Sequence, residues 1–337
     1  MKFGRYILGC VVITTAAAAA LTAAQFGRGG AIGGRGALGA QPDAAPVSVS
    51  AQPPPVNELD TVLLTVSVTG SGNASVPGIS RERFEIQEDG VEQKLTYFWE
   101  DSRPMTVGFL FDDSARMGTN DKVYVLKDAA QSFLKTKDPA DEYFVVRMSD
   151  FADVVVSFST DVKNLPLNYA AVGETALYDA LYVGLSVIKE AANPRKLLVP
   201  ITSGGDRCCS DNNKRTTEQM LKEYALRQPV QIYPLFVVDT IEDADSEMVH
   251  RDSIVLADLA TMTGGRMSNA PNAARGVEAM MAELARGLKT QYILGYKSTN
   301  SARDGKRRGV KVRVNSPAGS PKLNAWTKAG YYAPRDR

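Results

Sequence analysis

Histidine is nearly absent: one residue, His250, stands in a chain of 337. A single imidazole leaves no local signature for a Ser-His-Asp triad, an HExxH zinc site or a Cys/His zinc finger. Within "SEMVHRDSIV" it reads as a loop or helix-start residue. Cysteine is scarce as well, at three residues in all. Cys10 falls in the N-terminal apolar stretch, while Cys208 and Cys209 are neighbours. No disulfide framework can hold this fold, so its core must. A bond between the two neighbours would close a strained, easily reduced ring; free thiols or one intermolecular bond are the equal alternative. Charge of one sign is also lacking. The formal net charge of +1 removes the electrostatic footprint of nucleic acid or a membrane surface as partner. What remains is ordinary globular composition, 44% hydrophobic and 23% charged, long enough for one large domain or two ordinary ones.

The N-terminus reads as an export signal over residues 1–24. Lys2 and Arg5 supply positive charge, an apolar and alanine-rich stretch follows, and small residues Thr22 and Ala24 precede a cleavage point before Gln25. Cleavage would place the mature chain in the periplasm or outside the cell, without a membrane span. The rival readings are an uncleaved signal anchor and a lipoprotein, the latter from "ILGC" ending at Cys10. Residues 25–57 are rich in Gly, Ala, Pro and Ser, cannot bury enough apolar surface to offset ordering entropy, and read as a flexible tether.

Residues 58–103 alternate like strands, with Asp89-Gly90 as a hairpin signal. From 104 to 288 the pattern changes. Apolar strand runs ("MTVGFLFDD", "EYFVVRMSD", "RKLLVPITS", "VQIYPLFVVD") are separated by amphipathic segments of helical period. That alternation predicts an α/β domain with a doubly wound, mostly parallel sheet. Residues 289–337 return to β alternation. Each β end alone would be marginal, so the two predict one antiparallel sheet domain built from both chain ends, with the α/β domain inserted.

In a doubly wound sheet, ligands bind beyond the carboxyl ends of the strands. The first such strand runs into "DDSARM" at 112–117; "GETALYDAL" puts Thr175 at a helix start, and "PITSGGDRCCSDN" follows a later strand. Oxygen-bearing side chains on three loops of one face suit a hard cation such as Mg²⁺ or Mn²⁺.

These loops resemble the von Willebrand factor type A (VWA) domain and its metal ion-dependent adhesion site. The resemblance implies Asp-x-Ser-x-Ser on the first loop, a Thr on the second and an Asp on the third. Asp112, Ser114 and Thr175 match as metal ligands, whereas Arg116 and Ser203 replace the expected serine and aspartate. "FEIQEDGVEQK", "TQYILGYKS" and "KAGYYAP" further resemble the VWFA-related exported proteins of acidobacteria, over about 58 to 334. Arg116 would repel a cation, and could instead pair with Asp112. Asp113 and Asp206 are substitute ligands by type, although a solvated loop residue and a turn or cap are their simpler readings. Tyr178, Asp179 and Tyr182 read as packing and surface residues, and "MTGGR" at 262–266 as a helix C-cap. "RDGKRRG" at 303–309 reads as a solvated loop.

The resemblance implies a non-enzymatic adhesion-type module that binds a protein partner at the top of the sheet around a degenerate metal site. Arg116, Asp113, Ser203 and Asp206 form the expected partner-facing set, with Arg116 meeting an acidic side chain. The alternative is an envelope scaffold with no functional top site. A hydrolase using Ser114 lacks a nearby base.

Overall fold

The structure, a computed structural model, describes residues 60–136, 138–161, 171–207, 216–237, 247–270 and 273–336. The export signal, the tether and the Cys208–Cys209 pair lie outside those residues. No helix among the described residues is long and apolar enough to cross a membrane.

The central sheet contains β5 (Met105–Asp112), β6 (Glu142–Met148), β7 (Ala152–Ser159), β8 (Arg195–Thr202), β9 (Gln231–Ile232), β10 (Leu235–Val237) and β11 (Ser268–Ala270). Its order is β11-β10-β8-β5-β6-β7, with β9 also on β8. Every pairing is parallel except that of β7 with β6. The last apolar run divides because Pro234 donates no backbone hydrogen bond, so β9 and β10 pair with β8 on either side of it. The helices are α1 (Lys122–Lys135), α2 (Leu177–Lys189), α3 (Glu218–Arg227), α4 (Glu247–Thr263) and α5 (Ala273–Leu288). β5 is buried along its whole length, as a strand covered on both faces must be. Phe109 and Phe111 point into one core with Phe133 and Met281, while Leu110 points into the other with Leu181 and Leu256. Each such side chain contributes roughly 1.5–3 kcal/mol by leaving water. Gly108 lets the strands close up, since a Cβ there would lie 2.2 Å from Phe144.

The two chain ends make the β domain. It comprises β1 (Thr61–Thr69), β2 (Phe84–Glu88), β3 (Val91–Gln93), β4 (Leu95–Glu100), β12 (Tyr292–Lys297), β13 (Arg307–Val314), β14 (Asn324–Trp326) and β15 (Gly330–Tyr332). The expected antiparallel β domain consists of two four-stranded sheets, β14-β1-β12-β4 and β15-β13-β2-β3, each drawn from both chain ends. The chain changes sheet at Lys94, so the run "EQKLTYFW" supplies β3 to one sheet and β4 to the other. Leu64, Val66, Phe84, Ile86, Tyr292 and Val312 share the core of this domain. Asp89 and Gly90 have φ of 47° and 84°, the left-handed pair that a two-residue hairpin turn requires.

The motif residues shared with the VWFA-related pattern meet here. Glu88 accepts hydrogen bonds from Tyr296 (2.7 Å), Tyr331 (2.8 Å) and Ser298 (2.5 Å). "RDGKRRG" is not a solvated loop throughout: Arg307 opens β13, and the buried Arg308 donates to Asp304 at 3.1 Å.

Candidate functional site

β5 is a central strand, so its last residue, Asp112, emerges between the loops that follow β5, β6 and β8. The Ser114 backbone N–H donates to Asp112 Oδ1 at 3.1 Å, and the Thr202 hydroxyl donates to Oδ2 at 2.6 Å. Thr175 lies on the segment entering α2; its hydroxyl donates to Ser114 Oγ at 2.9 Å and lies 3.5 Å from Asp112 Oδ1. Asp112, Ser114, Thr175, Thr202 and Ser203 are all buried. The structure thus brings the three sequence-matched residues into one hydrogen-bonded cluster. Burial raises the Asp112 carboxyl above the usual carboxylate range, against hydrogen bonds from Ser114, Thr202 and the Ser203 N–H that pull the other way.

The residues of the expected partner-facing set make separate contacts. Asp113 turns away from Asp112: its carboxylate accepts from the Ala171 N–H at 3.3 Å, and burial raises its carboxyl as well. Asp206 is buried, and its carboxylate accepts from the Tyr178 N–H in the first turn of α2 at 3.4 Å. It bears on a helix N-terminus, in keeping with the simpler reading. Arg116 is half-buried and reaches the third loop; a Cβ on Gly205 would lie 3.4 Å from its Nε. The buried Ser203 hydroxyl has no hydrogen-bond partner among the described residues.

Two residues that sequence reasoning passed over organise the site. Thr202 binds Asp112 and also accepts from the Gly204 N–H at 2.9 Å. Asp252, fully buried on α4, accepts from the N–H groups of Gly205 (2.9 Å) and Asp206 (2.7 Å) through one oxygen. Its other oxygen accepts from the Tyr178 hydroxyl at 2.9 Å and from Arg251 at 3.3 Å. Burial, then Asp252, raises the Tyr178 phenol above its ordinary range. The available signal was periodicity. Asp252 shares the buried face of α4 with Val249, Val255, Leu256 and Leu259, and a carboxylate on such a face must have partners. It escaped notice because the helix begins at Glu247, before the apolar run that revealed it. His250 is exposed on that helix.

The residues present do not fit a divalent cation well. One carboxylate, Asp112, faces the cluster, and both its oxygens already accept hydrogen bonds. The third-loop position offers a hydroxyl in place of a second negative charge. Among the described residues no three His, Cys, Asp or Glu side chains gather as a metal group. Mg²⁺ needs near-octahedral oxygen coordination, and one formal negative charge with a guanidinium nearby supplies that poorly.

No family model matches the sequence, and no curated protein matches it. Solved structures match it at low identity. A von Willebrand factor type A protein from Catenulispora acidiphila is 11% identical at a TM-score of 0.43, over 82% of this chain and 74% of that one. The PilB minor pilin from Streptococcus sanguinis is 12% identical at a TM-score of 0.42, over 56% of this chain and 62% of the pilin. Proximal thread matrix protein 1 from the mussel byssus, with a zinc-occupied MIDAS motif, is 14% identical at a TM-score of 0.45, over 60% of this chain and 50% of that one. The chain therefore spans less than two thirds of the pilin and half of the byssus protein. The fold itself is the doubly wound α/β sheet with its β domain described above, and at such scores function must be read from this chain's own residues.

Proposed function

We propose that this chain is an exported, non-enzymatic protein-interaction module of the VWFA-related kind, whose partner docks at the top of the parallel sheet without a metal ion. The observation that carries the reading is the cluster of Asp112, Ser114 and Thr175, drawn from separate loops into mutual hydrogen bonding, with Arg116 reaching across to Gly205. Where an adhesion-type site would offer a cation to a partner's carboxylate, this rim offers a guanidinium, which binds carboxylates through paired N–H donors. In this reading Ser114 is a member of the hydrogen-bonded cluster, its hydroxyl taking a hydrogen bond from Thr175, and not a nucleophile.

A scaffold role with an inert top site is favoured by one observation: Asp112 is already satisfied inside the protein. Two measurements separate the readings. Calorimetric titration with Mg²⁺ and Mn²⁺ is expected to be silent for the native chain and to show binding for the double variant Arg116→Ser, Ser203→Asp. Heat from the native chain would overturn the metal-free part. In capture from an envelope extract, Arg116→Glu is expected to lose partners that the exposed-site control Lys322→Glu retains. Equal capture by both variants would favour the scaffold.

A further inference from the structure

A groove in the β domain lies among the start of β1, the loop after β12 and the C-terminal segment, and no residue of the Asp112 cluster lines it. Its volume is about 580 Å³, within the roughly 300–1,000 Å³ of small-molecule sites. β1 contributes Leu63, a partly exposed apolar side chain, and the C-terminal segment contributes Lys328, Tyr331 and Tyr332.

The cations of this groove differ in how they are neutralised. Arg303 is committed, to Asp60 at 2.9 Å and to Asp336 at 2.7 Å. Lys328 has no carboxylate within ion-pair range among the described residues, and its ammonium sits 5.9 Å from the centre of the Tyr331 ring. Burial alone holds its amine below the ordinary lysine range, with no acidic group acting in the other direction. The buried Glu88 is already occupied by the hydroxyls of Tyr296, Ser298 and Tyr331. Lys328 is also firmly placed. Its neighbour Ala329 donates to the Met262 carbonyl in the last turn of α4 at 3.3 Å, and a Cβ on Gly264 would lie 2.5 Å from the Lys328 backbone nitrogen. Arg227 lies over the Tyr332 ring at 5.0 Å, adding positive potential on that side.

A cation withdrawn from water is costly unless an anion accompanies it. We infer that this groove binds a small organic anion, whose carboxylate or phosphate pairs with Lys328 and whose apolar body lies along Tyr331, Tyr332 and Leu63. An ammonium paired in a partly dry groove makes a charge-assisted hydrogen bond, and the tyrosine rings supply flat apolar area.

The test is calorimetric titration of the full chain with benzoate, phenyl phosphate and inorganic phosphate. Saturable binding of benzoate or phenyl phosphate is expected, weakened at least about tenfold in Lys328→Met and within about threefold of native in Lys328→Arg. The preferred aromatic probe tells carboxylate from phosphate. Arg116→Glu should bind the probes as the native chain does, which keeps this site separate from the top of the sheet. Silence with all three probes, or equal affinity in Lys328→Met, would overturn the inference; binding of inorganic phosphate as tight as that of phenyl phosphate would overturn the role given to the tyrosines. If Lys328→Met does not fold, amine labelling of the native chain decides. The bound probe should slow acetylation of Lys328 at least about fivefold relative to exposed Lys322, and an unchanged rate would refute the site.

Discussion

Asp112 sits where its charge is least comfortable, fully buried and held by hydroxyl and amide donors rather than by a cation. Its raised carboxyl means that the folded chain holds this proton more tightly than the unfolded chain does. The contribution to stability is therefore greatest below the ordinary Asp range and is lost as pH rises through the raised folded value. Asp112→Asn removes that titration while keeping a group that can meet Thr202. Urea unfolding at pH 4 and pH 7.5 should show the variant gaining on the native chain at the higher pH; an unchanged difference between the two pH values would refute this. Asp252 is buried too, and both its oxygens are used, by Gly205, Asp206, Tyr178 and Arg251. Asp252→Ala leaves those donors unpaired and is expected to cost about 3 kcal/mol. Faster hydrogen exchange at the Gly205 and Asp206 amides would show that the loss is local to the third loop.

Among the elements, the buried strands and most helices were legible because a period of 3.6 and a continuous apolar run are local signals. β7 was not: its apolar run is only Val154–Val156, and as an edge strand it is half-buried or exposed throughout. β11 has only three residues, too few for any period to show. The end of α4 was legible as a glycine cap, and the structure gives the reason. Gly264 has φ of +81°, and the Gly265 N–H donates to the Ala260 carbonyl at 2.9 Å, the six-to-one bond of a Schellman turn. The same glycine packs on the Thr327–Lys328 backbone, where a Cβ would come within 2.5 Å. Gly264→Ala should destabilise by at least about 1–3 kcal/mol from the left-handed backbone alone. Thermal unfolding measures the loss, and a change below about 0.5 kcal/mol would mean that the seam yields easily.

At the scale of the described domains, the β domain and the parallel sheet are tied together at Gln291. Its amide nitrogen lies 3.0 Å from Ser67 Oγ, 3.0 Å from Gln231 Oε1 and 2.9 Å from the Tyr233 hydroxyl, and its oxygen accepts from Arg195 at 3.2 Å. Arg195 in turn donates to the Leu288 carbonyl and faces Asp101, so one side chain joins the β domain to two strands of the parallel sheet. Gln291→Leu keeps the volume but strips several buried groups of a partner, at an expected cost of about 2–3 kcal/mol. A denaturant transition that separates into two steps would show that the domains have been uncoupled; a single step at the native midpoint would show that Gln291 is dispensable.

The sequence by itself determined β5, β6, β8 and the β9–β10 run of the parallel sheet, the β character of both ends, and the loops that carry Asp112, Ser114 and Thr175, because apolar runs and loop motifs are written within a few residues. Only the tertiary structure decided that Asp113 faces the Ala171 loop, that the buried Ser203 hydroxyl has no partner among the described residues, and that Asp252 holds the third loop from α4. It alone decided that the β domain splits into two sheets, with Thr61 opposite Lys297 in the first. The reason is physical: a side chain's partners across a sheet or loop lie far away in sequence, and burial makes those partners, rather than local propensity, determine its charge and direction.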